Sequence, residues 1–429
     1  MTNYLKTSMK KPIIVVGMQW GDEGKGKIVD YLAKKSDYVV RFNGGDNAGH
    51  TVVLNGHSYK FHNLPSGVIQ NKKVFIAQGA VINPHILLSE IELINKAGFD
   101  VDLSIDYRTH IVMPYHKLLD AATEAWKGKK ATGSLKLGIG YCYEDKNNRT
   151  GIRVEDLIKP NILKEKVRTF FPLKKKIIER VYEQKVTLGP DSIIKQYIQY
   201  GKKLAPYASD VSEIIAANLG KKNMIFEGAH GTFLDPAFGS YPYTVAPYCI
   251  AAAAFTGIGI GPISVGVMGV VKAYTTRVGN GQFPTEQNNT SGQTMQRVGK
   301  EIGTTSGRTR RCGWLDLPML RTAMRLNNCS TLALTKLDVL SSFREIPIAT
   351  AYIKGKNKFA YFPPQINELS GIKPKYVILR GWQQDISKLR HFKDLPKYCK
   401  EYIKFMETQL AIPIKLISVG ADRNSIITH

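Results

Sequence analysis

From Val16 to Lys27 the chain reads V-G-M-Q-W-G-D-E-G-K-G-K, directly after the apolar run I-I-V-V at 13–16. Glycines let a backbone turn tightly and come close to a ligand, and an apolar run ahead of them marks a buried strand feeding the turn. Gly21, Gly26 and Lys27 keep the spacing G-x-x-x-x-G-K of a loop that cradles phosphates, but Ile28 stands where such a loop carries the hydroxyl that holds magnesium. Another oxygen has to take that place. Asp22 is the candidate, because a carboxylate is a hard ligand suited to magnesium and can also accept a proton. A glycine turn without a ligand accounts poorly for two acids and two lysines packed among glycines. A second turn of the same kind follows in V-V-R-F-N-G-G-D-N-A-G-H-T at 39–51. A lone histidine is more often a surface or core residue than a catalytic one, yet His50 sits in its turn as Asp22 does.

Two such turns need a frame that aims them at one place. Residues 30–33 continue a helix out of the first turn, 38–42 and 74–77 read as buried strands, and 84–97 as an amphipathic helix. Repeated strand, glycine loop and helix units predict an α/β fold: a large, mainly parallel central sheet flanked by helices, P-loop-NTPase-like, with both turns at the carboxyl ends of strands and facing one crevice. The lysine-rich stretch 161–219 has helical periodicity and reads as cover for the sheet, 224–226 as a strand, and 332–334 as another. Residues 249–271 carry no charge and are long enough to span a membrane, but five glycines and Pro262 interrupt them. A packed helix, a glycine loop and a buried strand describe them better.

No Pro/Ser-rich linker, repeat or break in composition divides the 429 residues, so 11–429 is expected to be one domain. Residues 1–10 have no apolar signal core and read as a flexible extension. Five widely spaced cysteines without a C-x-x-C pair suggest free thiols in a reducing compartment, which makes cytoplasm the expected location. A net charge of +25 makes nucleic-acid binding a rival function, but the lysines fall in small groups with no basic arm or nucleic-acid module. Steering of small polyanionic substrates is the better use of such a field.

The strings W-G-D-E-G-K-G-K at 20–27 and N-A-G-H-T at 47–51 together resemble the signature regions of the adenylosuccinate synthetase family, which joins IMP and aspartate at the expense of GTP. Further matches run through Y-E-D-K at 143–146, F-E-G-A at 226–229, G-S-Y-P-Y at 239–243, K-A-Y at 272–274, T-K-L-D at 335–338 and 418–423, covering nearly the whole chain. The resemblance implies that Asp22 takes the N1 proton of IMP and that His50 stabilises the phosphoryl group moving from GTP to O6. Asp22 and the Gly49 carbonyl would hold Mg2+. It assigns GTP to Gly21, Glu23, Gly24, Lys25, Gly26, Lys27, Gly49, Thr51, Lys336, Asp338, Ser418 and Gly420. IMP, or a related purine nucleotide, falls to Asn47, Ser134, Leu135, Arg149, His230, Val245 and Arg308, with Arg149 reaching across a homodimer interface. L-aspartate falls to Thr304, Thr305, Ser306, Arg308 and Arg310, in a mobile loop whose hydroxyls and arginines suit carboxylates. No membrane is implied.

The acceptor pocket departs from the family pattern. Leu135 and Val245 replace threonines, Leu137 an arginine, Tyr141 a proline and His230 a glutamine, while Ala421 replaces a proline near the guanine segment. Lost phosphate contacts need compensation, for which His230, as a cation, and Lys136 are the candidates. The same cluster motivates a rival, a paralogue acting on another 6-oxopurine (deoxy)nucleotide such as (d)GMP. A second rival is a non-catalytic nucleic-acid-binding or regulatory protein on the same fold.

Overall fold

The computed structural model describes residues 10–303 and 307–429. Ten strands form the central sheet: β1 (Ile13–Gly17), β2 (Tyr38–Arg41), β3 (Lys73–Ile76), β4 (Leu103–Asp106), β5 (Ala208–Ser209), β6 (Met224–Glu227), β7 (Gly266–Lys272), β8 (Thr331–Thr335), β9 (Ile414–Ser418) and β10 (Ile426–Thr428). Across the sheet the order is β10-β9-β8-β7-β1-β6-β2-β3-β4-β5. Every pairing is parallel except that of β9 with β10. This is the mainly parallel α/β sheet that the strand-loop-helix rhythm predicts.

Strands buried on both faces need apolar side chains at successive positions, and here they supply two cores. Ile14, Val16, Val40, Phe42 and Phe226 belong to one core, while Val15, Val39 and Ile225, the residues between them, belong to the other. The stretch 161–219 gives helices Pro160–Lys176, Pro190–Leu204 and Val211–Asn218. Their apolar residues Leu163, Val167, Ile193 and Tyr197 join the core of Val39 and Ile76, so this region covers the sheet as expected. It also contributes β5, an edge strand too short to leave a periodicity in the sequence. Residues 249–271 fold as helix Ala253–Ile258, a turn through Gly259 at φ 86°, and β7. Among the described residues no helix is long and apolar enough to cross a membrane.

Because β9, β8, β7, β1, β6 and β2 run parallel side by side, the segments that follow them all leave the sheet at the same edge. That edge carries the chemistry.

Candidate active site

After β1 the backbone passes through three left-handed residues, Gly21 (φ 82°), Asp22 (φ 60°) and Gly24 (φ 89°), before helix α1 (Lys25–Ala33) begins. The turn closes on Glu23. Its buried carboxylate accepts the N–H groups of Gln19 (2.9 Å) and Gly21 (3.0 Å) and the Lys25 Nζ (2.7 Å). A Cβ on Gly17 would lie 2.3 Å from Glu23 Oε2, so glycine is needed there to admit the carboxylate. Helix α1 has no side-chain cap at its N-terminus, and its first N–H groups therefore open a ready anion site.

The turn after β2 leads to His50, the first residue of the hairpin His50–Leu54 and His57–Phe61. Its Nε2 bonds the Leu64 carbonyl at 3.0 Å and lies 3.9 Å from Glu227 Oε1. Burial, with Arg41 next in weight, pushes the imidazole down to about 3, so the ring is neutral near pH 7. A neutral ring has one N–H, and here Leu64 takes it. To donate to a phosphoryl group, His50 has to release that carbonyl or gain a second proton. A Cβ on Gly26 would stand 3.0 Å from the His50 Cβ, which shows how closely α1 and the hairpin pack.

A cavity of about 780 Å3 joins the two turns and takes in Asp22, Lys25, Gly49, His50, Thr51, Ser134, Lys336 and Gly420. Gly21, Gly24, Gly26, Lys27, Asn47 and Ser418 line it too, as do all six departures from the family pattern, Leu135, Leu137, Tyr141, His230, Val245 and Ala421. Asn47 Oδ1, His230 Nε2 and Asp338 Oδ1 are buried atoms without a hydrogen-bond partner among the described residues. Burial raises the Asp338 carboxyl.

Several expected residues stand differently. Glu23 is wholly buried beneath the turn, so its side chain shapes the loop and has no face toward the cavity. Lys27, the lysine of the phosphate-loop spacing, turns its ammonium to Ser418, Gly420 and Ser425. His230 is pushed down to about 3 by burial, with Lys25 and Arg41 adding repulsion. The ring is therefore neutral near pH 7 in the unliganded protein, which counts against a cationic phosphate contact from it. Lys136 is exposed and outside the cavity lining, whereas Lys127, paired with Glu124 at 3.6 Å, is on it. Arg149 is exposed, at φ 65°, where it ends helix Ile139–Asn148 away from the lining. Thr304, Thr305 and Ser306 lie outside the described residues.

The neck of the loop that carries them is held by Arg310 and Glu301. Arg310 N–H bonds the Glu301 carbonyl at 2.9 Å, its Nη1 bonds Glu301 Oε2 at 2.7 Å, and its Nε bonds Asp22 Oδ2 at 2.7 Å. Glu301 is fully buried and also accepts Lys272 Nζ at 2.9 Å and the Tyr274 hydroxyl. Against its burial, the cations of Lys272, Lys336 and Arg310 bring the Glu301 carboxyl down to about 2. Arg308 Nη1 bonds the Gly133 carbonyl at 3.0 Å, linking this loop to the acceptor segment. Glu124 accepts the N–H groups of Gly133 (2.9 Å) and Ser134 (3.0 Å) and so fixes that segment.

Glu227, Arg41, Glu301, Lys272, Glu124 and Lys127 were not singled out as site residues from the sequence. A signal existed for Arg41 and Glu227: each is a charged residue at the carboxyl end of an apolar strand that feeds the crevice.

Among the described residues no three His, Cys, Asp or Glu side chains cluster as a metal cage. A divalent cation that fills its shell with water and substrate phosphates needs only one or two protein oxygens. Asp22 and Gly49 both line the cavity, and only Oδ2 of Asp22 is held by Arg310.

The model of the family described as adenylosuccinate synthetase matches residues 14–427. Adenylosuccinate synthetase of Acetivibrio thermocellus is 46% identical over 418 residues, covering 96% of this chain and 98% of that protein. That of Desulforapulum autotrophicum is 46% identical over 422 residues, with 97% and 98% covered. Among solved structures, fully ligated adenylosuccinate synthetase from Plasmodium falciparum superposes with a TM-score of 0.92 at 36% identity, over 98% of this chain and 100% of that one. A cyanophage S-2L succinoaminodeoxyadenylate synthetase, bound to dGMP and dATP, shares the fold with a TM-score of 0.63 at 17% identity. With the family model spanning both turns and nearly the whole sheet, and relatives this close along their full length, the chain belongs to the adenylosuccinate synthetase family.

Proposed function

We propose that this cavity ligates IMP and L-aspartate at the expense of GTP, through 6-phosphoryl-IMP, giving adenylosuccinate, GDP and phosphate, with Asp22 as the base. The family is one of GTP-dependent carbon–nitrogen ligases, and the reading assigns its steps to this chain's residues. Asp22 takes the N1 proton, O6 attacks the γ-phosphorus, and GDP leaves. The amine of aspartate then attacks C6, and phosphate departs with O6. The N–H groups at the start of α1 and Lys25 receive the triphosphate, Asp338 and Lys336 the guanine, and Arg308 and Arg310 the carboxylates of aspartate.

The observation that carries this reading is the shared cavity. Asp22 lines the same space as the phosphate turn, Lys336 and the acceptor wall of Ser134, Leu135, His230 and Val245. Its volume lies within the range of about 300–1,000 Å3 usual for ligand sites. Arg310 couples the two substrates, since a guanidinium bonded to Asp22 can pass to the carboxylate of an arriving aspartate and leave the base free, so that aspartate is bound before Asp22 takes the proton. The family uses a divalent metal, and we assign it as Mg2+, with Asp22 and the Gly49 carbonyl as protein ligands. When bound it spreads charge on the transferring phosphoryl group.

IMP is preferred over another 6-oxopurine nucleotide as acceptor, because the curated relatives at 44–46% identity carry the adenylosuccinate synthetase name while the dGMP-bound neighbour is distant. We further read residues 11–429 as one catalytic domain, a homodimer in which Arg149 serves the partner's acceptor phosphate, and the cytoplasm as its location, where its five free thiols stay reduced.

Asp22→Asn tests the assignment. Turnover of IMP, GTP and aspartate should fall by about 10²–10⁴-fold, the usual weight of a general base, with the circular dichroism spectrum unchanged. Near-normal turnover would remove Asp22 from the base role.

A further inference from the structure

Lys27 and Asp30 stand three residues apart on α1 and therefore share a face, and both hold the C-terminal segment 418–425. Lys27 Nζ donates to Ser418 Oγ at 2.8 Å, the Gly420 carbonyl at 2.7 Å and the Ser425 carbonyl at 3.0 Å. An ammonium has three donors, and all three are used. Asp30 receives Arg423 in a two-pronged contact, Nε to Oδ2 at 2.7 Å and Nη2 to Oδ1 at 2.5 Å. Asp30 is fully buried and Lys27, on the cavity wall, is 7% exposed, so water competes little for either contact. Arg423 N–H also bonds the Val53 carbonyl at 2.9 Å, which anchors the segment to the hairpin that begins at His50.

We propose that Lys27 is a positioning residue of the nucleotide base and not a phosphate ligand: with Asp30 it clamps segment 418–425 onto α1. The helix whose N-terminus receives the phosphates thereby also sets where the base-closing segment lies, and the span between phosphates and guanine is fixed by one rigid element. The inference deepens the guanine reading above and rests on it.

The test measures KM for GTP and competitive Ki values for GDP and GMP against GTP, with IMP saturating so that GMP reports on the GTP site alone. A clamp acts on the part that all three ligands share. Lys27→Met and Asp30→Asn should each weaken GTP, GDP and GMP by a common factor on the order of tenfold, which corresponds to about 1.4 kcal/mol. A loss in Lys27→Met that grows from GMP to GDP to GTP would show that the amine touches phosphate, and unchanged affinities in both variants would equally overturn the clamp. Should Lys27→Met fail to fold, Ser418→Ala removes one clamp bond and leaves the amine in place. It should give the same uniform profile at smaller size, and no change would again overturn the proposal. Asp338→Asn separates this from the reading beneath it: if that variant leaves guanine preference intact, the base site is elsewhere, whatever Lys27 does.

Discussion

An acidic side chain with one buried oxygen unpartnered, as Asp338 has, is matched by a ligand that presents N–H groups, and guanine presents them at N1 and at its exocyclic amine. Asp338→Asn puts a donor where only acceptors stood. GTP should weaken and xanthosine triphosphate, which carries an oxygen in place of the amine, should improve; KM values for the two nucleotides check this. His230 yields a prediction of the opposite kind. With its ring pushed down to about 3, it does not titrate between pH 6 and 8, so no positive charge is lost there as pH rises. The ionisation of the IMP phosphate near about pH 6 remains and acts on every variant alike. The IMP dissociation constant should therefore follow the same pH curve in wild type and in His230→Gln, and a flattened curve in the variant would show that the histidine charges in the complex.

At the scale of elements, the phosphate turn is held from below by one carboxylate. Glu23 reaches the N–H groups of Gln19 and Gly21 only because Gly17, the last residue of β1, leaves room for it. Gly17→Ala places a methyl group 2.3 Å from Glu23 Oε2, and either the strand end or the turn has to move. Overpacking of this kind costs about 1–3 kcal/mol. Urea unfolding should register that loss, and KM for GTP should rise with it because the turn no longer presents its N–H groups in register. Wild-type KM alongside reduced stability would mean that the turn tolerates the shift. On the far side of the site, the neck at Glu301 and Arg310 ties the loop proposed to bind aspartate to Asp22 and, through Lys272, to the end of β7. Base, strand and loop are thus joined through one buried carboxylate.

For the whole molecule, Arg149 matters by where it is not. It caps a helix in the left-handed conformation, exposed and off the cavity lining, so within its own subunit it is no part of the acceptor wall. If it serves a partner's acceptor phosphate, Arg149→Leu and Asp22→Asn proteins should each be inactive alone and recover turnover on mixing. A hybrid dimer carries one site with both residues intact. Subunit exchange confirmed by mass, with no recovery of turnover, would leave Arg149 outside the site.

The sequence alone determined the sheet class and the two turns, because these are local: an apolar strand, glycines that permit left-handed backbone, and charged residues between them stand within a dozen positions of each other. Asp22 and His50 stand out as candidates for that reason, and the family strings add Lys336, Asp338 and Ser418; the fold brings all of these but Asp338 onto one cavity wall. Direction was not legible. Spacing aims Lys27 at phosphate, whereas in the unliganded fold its ammonium meets oxygens of Ser418, Gly420 and Ser425, some four hundred residues away in the chain. Charge state was not legible either, since whether His230 is a cation depends on how much water the tertiary structure removes from it. Glu301 gave no local sign at all. Its role exists only once β7, the aspartate loop and the turn at Asp22 have been folded against one another, and long-range contacts of that kind are decided by packing in three dimensions and leave no periodicity to read.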